Sequence, residues 1–494
     1  MAISNPGGLL NSTPGPIQQA TAANYLDLSS ATNAGWGQQY VPDLMEKEAE
    51  VFGPRTISGF LNQVGAEEAM TADQVVWSEQ GRLHLSYTCS ITDVDDGAAT
   101  NGGEITITGH IDAGATYAAA SHGVRVNDTI IVATTAAVLK CLVVKVVNDV
   151  IDVEPYGVAD ITTLGEGNTG TLLVYGSEFA KGKSYNSQVA AAADRREANE
   201  PDFKTFTNKP IIIKDYYEVN GSDSSKIGWV EVSTETGQSG YLWYLKAEAE
   251  TRARFTDYLE MAMLEGELGV SGTDDVADFL TANADSSGTQ GLFAAIESRG
   301  NVTTGVSGVN AATDLAEFDA ILAEFDKQGA IEEYMMFVNR STSLAMDDML
   351  ASMNSYGAGG TSYGVFNNSE DMALNLGFTG FRRGSYDFYK SDFRYLNDKA
   401  TRGGINDAAG ANAIRGVMIP AGSSSVYDQT VGASMKRPFL HVRYRASQSD
   451  DRRMKTWVTG SVGAATSALD MMQLHFLSER CLITQGANNF MLMK

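Results

Sequence analysis

The sequence Tyr241-Leu-Trp-Tyr-Leu-Lys-Ala-Glu-Ala-Glu-Thr-Arg-Ala-Arg-Phe-Thr-Asp-Tyr-Leu-Glu-Met-Ala-Met-Leu-Glu-Gly266 decides the fold class of this chain. Its apolar residues recur at spacings of three and four, which is the period of one helix face. Glu248 and Arg252 stand at the i,i+4 spacing that supports a helix. The stretch therefore predicts one long amphipathic helix that ends at Gly266 or Gly269.

Short strand patterns precede this helix over residues 85–176. Val138–Val147 and Val150–Pro155 are rich in β-branched residues, and Asn148-Asp149 between them is typical of a hairpin turn. Several such runs are separated by short polar breaks. Five or six short strands in this arrangement predict a small β-barrel or sandwich.

Mixed elements follow the long helix. The spacing of apolar residues predicts a helix over Asp314–Gln328, a strand over Tyr334–Val338 and a helix over Ser341–Met353. Residues 436–494 return to strand patterns. We therefore expect an α+β chain whose later part mixes helices with strands.

Residues 1–58 show no periodic pattern and are interrupted by Pro and Gly. Large side chains, among them Trp36 and Tyr40, are scattered through the segment and cannot form a core of their own. The segment is therefore either disordered or an arm that lies along a neighbouring surface. The aromatic residues favour the arm.

Charge is unevenly distributed along the 494 residues. Lys and Arg number 36 against 61 Asp and Glu, which gives a formal net charge of −25. Residues 436–455 carry seven basic and two acidic residues, so this stretch has a net charge of +5 and the rest of the chain −30. The acidic balance argues against broad phosphate binding. The basic stretch fits either nucleic-acid contact or, at least equally well, contact with acidic protein surfaces.

Cysteine and histidine are too sparse to build a cofactor site. The three cysteines, Cys89, Cys141 and Cys481, are far apart and form no CxxC motif. The five histidines form no HxxxH or HxH pair, so we expect no metal and no other cofactor. The N-terminus shows no secretory signal, and no apolar run approaches the length of a membrane helix, so no membrane partner is expected.

Three segments resemble catalytic or ligand motifs but depart from them. Gly176–Ser184 resembles a phosphate-binding loop, yet five residues instead of four separate its glycines. Asp93–Gly97 resembles a calcium loop that lacks the later ligands, and Gly357–Gly360 follows a helix where a dinucleotide site needs a strand. With no GxSxG motif either, we expect no enzyme.

The chain resembles the major capsid proteins of tailed bacteriophages, which have the Hong Kong ninety-seven-type fold. The resemblance lies in the order of a β-module, a polar loop, a strand segment, the long helix and a glycine-led segment after it. In the same order, the segments that carry the resemblance are Leu172–Gly176, Asp194–Asp202, Lys209–Gly221, Tyr258–Glu267 and Gly288–Glu297.

The resemblance implies a division of the chain into the parts of that fold. Residues 1–58 would be the N-terminal arm, and 59–84 with 177–230 the two sides of an extended loop. Residues 85–176 would be an inserted β-barrel or sandwich module. Residues 231–299 with 436–494 would form the peripheral domain around its long spine helix, and 300–435 the axial domain.

The resemblance also implies a function in the virion head. Copies would assemble into hexamers and pentamers of an icosahedral shell in the host cytoplasm, with a separate scaffolding protein and a portal. The shell would enclose double-stranded DNA without sequence-specific binding, and decoration proteins would be further partners. The alternatives are a tail or surface-layer subunit and an enzyme with an unrecognised site. Crosslinking between a loop lysine and an asparagine is not expected.

Contacts between subunits are expected from aromatic and basic side chains of the arm, the loop and the basic stretch. These candidates are Trp36, Tyr40, Lys181, Lys183, Arg195, Arg196, Arg437, Arg443, Arg445, Arg452 and Arg453.

Overall fold

The computed structural model describes most of the chain after residue 59. The described residues are 60–61, 66–79, 86–94, 102–111, 121–182, 185, 198, 204–222, 231–233, 239–269, 288–328, 331–353, 380–421, 423–428, 433–461 and 465–494. They form two compact units. One spans Trp77–Phe206, and the other comprises the described residues on either side of it in the chain.

The elements are named in chain order. The strands of the first half are β1 (Ala66–Met70), β2 (Val75–Glu79), β3 (Ser86–Asp93), β4 (Glu104–His110), β5 (Asp128–Thr134), β6 (Val138–Val147), β7 (Val150–Pro155), β8 (Thr169–Ser177), β9 (Lys204–Asn208), β10 (Ile211–Asn220), β11 (Glu231–Ser233) and β12 (Ser239–Tyr241). Those of the second half are β13 (Asn301–Thr303), β14 (Glu333–Val338), β15 (Gly380–Arg383), β16 (Tyr386–Asp392), β17 (Gly416–Pro420), β18 (Ser423–Asp428), β19 (Ala433–Pro438), β20 (Leu440–Arg445), β21 (Lys455–Gly460), β22 (Met471–Thr484) and β23 (Met491–Met493). The α-helices are α1 (Leu242–Glu265), α2 (Leu292–Arg299), α3 (Ala311–Gln328), α4 (Arg340–Met353), α5 (Arg394–Asn397) and α6 (Arg402–Ala409).

A closed six-stranded barrel fills the first unit, with strand order β3-β4-β7-β6-β5-β8. Along β3, β4 and β7, buried apolar residues alternate with more exposed ones, which places every second side chain inside the barrel. Ile105, Ile130, Val143, Ile151 and Leu172 have no more than traces of exposed surface. The prediction of a barrel or sandwich over 85–176 is therefore confirmed as a barrel.

The turn between β6 and β7 has the predicted residues. Asn148 adopts a positive φ of 52°, a conformation that asparagine tolerates better than most residues. Both flanking strands have the predicted bounds. The hairpin prediction is thus confirmed.

The chain enters and leaves this unit through one two-stranded ribbon, formed by β2 and β9. The rings of Trp77 and Phe206, one on each strand, have centroids 6.2 Å apart. The two ends of the barrel unit therefore lie side by side.

A five-stranded sheet is the first layer of the second unit. Its path runs β1-β20-β22-β10, and β21 also pairs with β22. Helix α1 packs against this sheet, with Phe255 and Leu259 in contact with Leu474 and Phe476. The predicted long helix is confirmed almost to the residue, because its apolar stripe has this sheet face to cover.

A six-stranded mixed sheet forms the second layer, in the order β13-β23-β17-β14-β16-β15. Helices α3 and α4 bury Phe318, Phe325 and Met349 against it. The helix–strand–helix order predicted for this region is confirmed. A second cluster contains Phe337 from this sheet and Leu482 from the other, so the two sheets share one continuous core.

Three strands from the ranges of that predicted division pair with strands that are distant in sequence. The ranges expected to form an extended loop, 59–84 and 177–230, contain β1 and β10, and both are strands of the five-stranded sheet. Strand β23, in a range expected to be peripheral, pairs with β13 and β17 of the six-stranded sheet. In each case pairing with a sequence-distant strand decides the placement.

Candidate functional site

The predicted contact residues fall into four groups. Arg443, Arg445, Arg452 and Arg453 are described in full and lie together on β20 and just before β21. Lys181 is exposed in a turn with Gly182, whose φ is +76°. Arg437 is described only as a backbone position of β19. Trp36, Tyr40, Lys183, Arg195 and Arg196 lie outside the described residues.

Strand register brings the first arginine to an acidic partner. Strands β1 and β20 run parallel, with Glu68 directly opposite Arg443. A guanidinium nitrogen of Arg443 lies 2.7 Å from Oε2 of Glu68. Two residues further along β20, Arg445 forms an ion pair with Asp73, which follows β1 in the chain. Ion pairs thus hold β1 against β20 in addition to the backbone pairing of the two strands.

Glu479 of β22 is the centre of this arrangement. Its side chain is only 7% exposed, and its two carboxylate oxygens approach different arginines. Oε1 lies 2.9 Å from Nε of Arg445, and Oε2 lies 3.1 Å from Nε of Arg452. A buried carboxylate between two cations is stable only because both charges compensate its lost hydration.

The other face of the same strands carries a second group of ion pairs. Glu67 pairs with Arg453 and lies 3.6 Å from Arg480, which is mostly buried. Arg480 donates to the Ser478 hydroxyl at 2.9 Å and to the backbone carbonyl of Arg453 at 2.8 Å. Arg453 also lies over the Tyr444 ring, 5.7 Å from its centroid.

The two arginines at the centre of these groups have pKa values shifted in opposite directions. The hydrogen bond to Asp73 raises the pKa of Arg445, and the charge of Glu479 adds to it. Burial lowers the pKa of Arg480, with the charge of Glu67 opposing that change. Since arginine titrates far above neutral pH, both remain charged and act as fixed cations.

The arrangement has a structural effect within the chain. Four arginines predicted to contact neighbours have carboxylate partners in the same chain: Glu67, Glu68, Asp73 and Glu479. Their role in contacts between subunits stays a prediction. Sequence inspection missed these acids because they lie far from the basic stretch. The segment Ala66-Glu-Glu-Ala-Met70 alternates weakly and shows no apolar pattern.

The described residues contain no group of three or more His, Cys, Asp or Glu side chains placed to hold a metal ion. Burial raises the pKa of the Cys89 thiol to about 11 and those of Cys141 and Cys481 to about 12. Protonated, buried thiols are poor nucleophiles.

The segment that resembles a phosphate-binding loop begins inside a strand, since Gly176 belongs to β8. In the part of the chain that is described, no helix is long and apolar enough to cross a membrane.

Comparisons with known proteins find likeness only to solved structures. No family model and no curated protein matches the chain. It is similar to a structure from Microbacterium phage Oxtober96, at 9% identity and a TM-score of 0.38, over 94% of this chain and 99% of that one. It is also similar to the capsid of an empty GTA particle, at 12% identity and a TM-score of 0.37, over 94% and 98% of the two chains. A third likeness, to the mature capsid of bacteriophage PhiM1, has 9% identity, a TM-score of 0.32 and coverage of 64% and 78%.

Proposed function

We propose that this chain is the major capsid protein of a tailed bacteriophage, with a Hong Kong ninety-seven-type fold and an inserted β-barrel. Its copies form hexamers and pentamers of an icosahedral head shell that encloses double-stranded DNA. The protein is structural and has no catalytic role. Its place is the virion head, and the host cytoplasm during assembly.

The observation that carries this proposal is the passage from β10 into α1. The sequence that resembles capsid proteins runs through Lys209–Gly221 and ends with the helix. Strand β10 pairs along its whole length with β22, and α1 folds back on the same sheet. An ion pair of 3.0 Å between Arg254 and Asp215 joins the helix to the strand. A long helix fixed along a sheet is what a spine helix requires.

The division into capsid parts is proposed with narrower loop sides. The N-terminal arm is 1–58, and the barrel at 85–176 is the insertion. The ribbon of β2 and β9 supplies the base of the extended loop, while β1 and β10 belong to the peripheral sheet. The axial domain is 300–435 together with β23.

The charge of the chain suits a container for DNA. A net charge of −25 leaves little surface to which phosphates would adhere, so packaged DNA would slide along the wall during filling. The proposed partners are other copies of the chain, a scaffolding protein, a portal and decoration proteins.

Electron microscopy of the purified full chain, alone and with co-expressed scaffolding protein, tests the proposal. Closed shells of uniform curvature are the expected result. Tubes or flat lattices would indicate a tail or surface-layer subunit instead. Isolated monomers under every condition would contradict the proposal.

A further inference from the structure

The ribbon of β2 and β9 is joined to the second unit by a buried polar side chain. Strand β9 ends at Asn208, and only Lys209 and Pro210 separate it from β10. The boundary between the two units falls between Phe206 and Thr207, so Asn208 is the second residue of the returning chain in the second unit. Its side chain is only 1% exposed. A buried amide is tolerated where its donors and acceptor are all hydrogen-bonded.

The Asn208 side chain makes hydrogen bonds to two distant parts of the second unit and to its own strand end. Its nitrogen donates to the backbone carbonyls of Gln290, at 2.9 Å, and Leu482, at 2.6 Å. Its oxygen accepts from the backbone N–H groups of Lys209 and Gln290, both at 2.9 Å, and from the Thr289 hydroxyl at 3.3 Å. Both amide hydrogens and the oxygen are therefore used.

The first distant part is strand β22. The ladder between β10 and β22 begins with Ile211 opposite Arg480. The residue before it, Pro210, has no N–H and interrupts the backbone pairing. Beyond that interruption the Asn208 side chain takes the carbonyl of Leu482. One side chain thus continues the attachment of the chain to the sheet where its backbone does not.

The second distant part is the segment of Thr289 and Gln290, which is packed against the end of α1. The N–H of Gly291 donates to the carbonyl of Gly266 at 2.7 Å. A Cβ atom on Gly291 would lie 2.6 Å from the Gly266 nitrogen, so the two backbones are in close contact. Thr289 has no exposed surface. Since close packing leaves this segment little room to move, Asn208 attaches β9 to a rigid part of the unit.

The other strand of the ribbon is joined to the second unit more loosely. Residues 71–74, which link β1 to β2, are all exposed. Within this link Asp73 pairs with Arg445, and the Asp73 side chain is 92% exposed. An exposed ion pair constrains a chain weakly. The ribbon is therefore held firmly at β9 and loosely at β2.

We propose that Asn208 is the clamp of a one-sided hinge and fixes the direction in which the ribbon leaves the five-stranded sheet. It is a positioning residue, because it acts on the barrel unit only through β9. The exposed link at 71–74 supplies the slack for bending about this point, and both cores stay intact. The inference goes beyond the proposed function and does not rest on it, because every group involved belongs to one chain.

Spin labels on the two units test the proposal on the full chain, at a concentration too low for assembly. Thr135→Cys and Lys399→Cys supply one exposed label site in each unit, and the native cysteines are buried. Double electron–electron resonance measures the spread of the distance between the labels. We expect Asn208→Ala to broaden this spread. Hydrogen exchange at the β9 amides should become about tenfold faster, as loss of a buried hydrogen-bond partner implies.

Two further variants separate the clamp from a general loss of stability. Asn406 also makes two hydrogen bonds in the second unit, at 2.8 and 3.0 Å, with the backbone of Ile414. Asn406→Ala should lower the melting temperature and leave the label spread and β9 exchange unchanged. Asp73→Asn should also leave both unchanged, because β9 alone sets the direction.

An unchanged label spread in Asn208→Ala would overturn the inference, whatever happens to its melting temperature. Equal broadening by Asp73→Asn or Asn406→Ala would overturn it as well. If Asn208→Ala does not fold, Asn208→Asp provides the same readout, since it keeps the shape of the side chain and removes only the two N–H donors. An unchanged spread in that variant would again contradict the clamp.

Discussion

Glu479 is the residue on which the arginine network depends. Its buried carboxylate faces Arg445 and Arg452, and both guanidinium groups keep partial access to water. In Glu479→Gln the two cations lose their shared counter-charge, so we expect a loss of roughly 1–3 kcal/mol in the free energy of unfolding. Urea denaturation at a protein concentration too low for assembly measures it.

The matched control for that change is Asp450→Asn. Asp450 also pairs with a cation, Lys455, but both side chains are more than 40% exposed. An exposed pair of this kind contributes roughly 0–1 kcal/mol, so the control should stay close to the unaltered protein. Equal effects of the two substitutions would contradict the role given to Glu479.

The buried thiols predict how stability changes in alkaline solution. In the native chain burial raises the pKa of Cys141 and Cys481 to about 12, whereas an unfolded thiol titrates near 9. Above pH 9 the unfolded chain therefore loses protons that the native chain keeps, and the free energy of unfolding falls. Each thiol contributes a slope of about 1.4 kcal/mol per pH unit until its native pKa is reached.

Unfolding curves at pH 8, 9, 10 and 11 measure this slope. Cys481→Ala removes one titrating group and should make the slope shallower by about 1.4 kcal/mol per pH unit. This change is expected whatever the substitution does to stability at pH 8. A slope that stays the same in this variant would contradict the assignment. The slope below pH 8 should be unaffected in both proteins.

At the scale of elements, strand β1 shows how charge positions an edge strand. Arg443→Glu places two carboxylates opposite each other on β1 and β20, so we expect a loss of about 1–2 kcal/mol in the free energy of unfolding. The swapped pair Glu68→Arg/Arg443→Glu should recover most of it. Chemical denaturation of the single and double variants tests this expectation.

The same pair of variants separates two roles of Arg443. Recovery of stability by the swap indicates a contact within the chain. If the single variant instead kept full stability and lost only assembly, the residue would act between subunits, as the sequence alone led us to expect.

Local elements could be predicted from the sequence where local chemistry determines them. Strands β6 and β7 were predictable because β-branched runs flank a turn whose Asn148 accepts a positive φ. Helix α1 was predictable because its stripe has the helical period over many turns. Strand β1 was not, since its place depends on Arg443 and on backbone pairing with residues more than three hundred positions later in the chain.

At the scale of the whole molecule, the two units have separate cores. Ile151 is buried inside the barrel, and Phe476 is buried between α1 and its sheet. Separate cores predict two calorimetric transitions. Ile151→Ala should lower one of them and Phe476→Ala the other, each by several degrees, since loss of such a buried side chain costs about 2–5 kcal/mol.

Scanning calorimetry of the three proteins decides the matter. A single transition that both substitutions shift together would show that the units unfold as one.

The sequence indicated less about the whole molecule than about its parts. The barrel was foreseeable as a module because its strands are contiguous in the chain. The shared core of the two sheets was not, because Phe337 and Leu482 meet only through long-range packing. Only the basic half of the candidate site could be predicted from the sequence. The arginines cluster in sequence, but their acidic partners lie on or just after β1 and on β22.

The ribbon of β2 and β9 has a consequence for how such a chain can change over generations. With Trp77 and Phe206 side by side, the barrel is a cassette whose removal leaves two chain ends that a short turn can rejoin. Lineages could gain, exchange or discard it without rebuilding the remainder. The same property offers a defined position for grafting a foreign domain, to be carried in as many copies as the proposed shell has subunits.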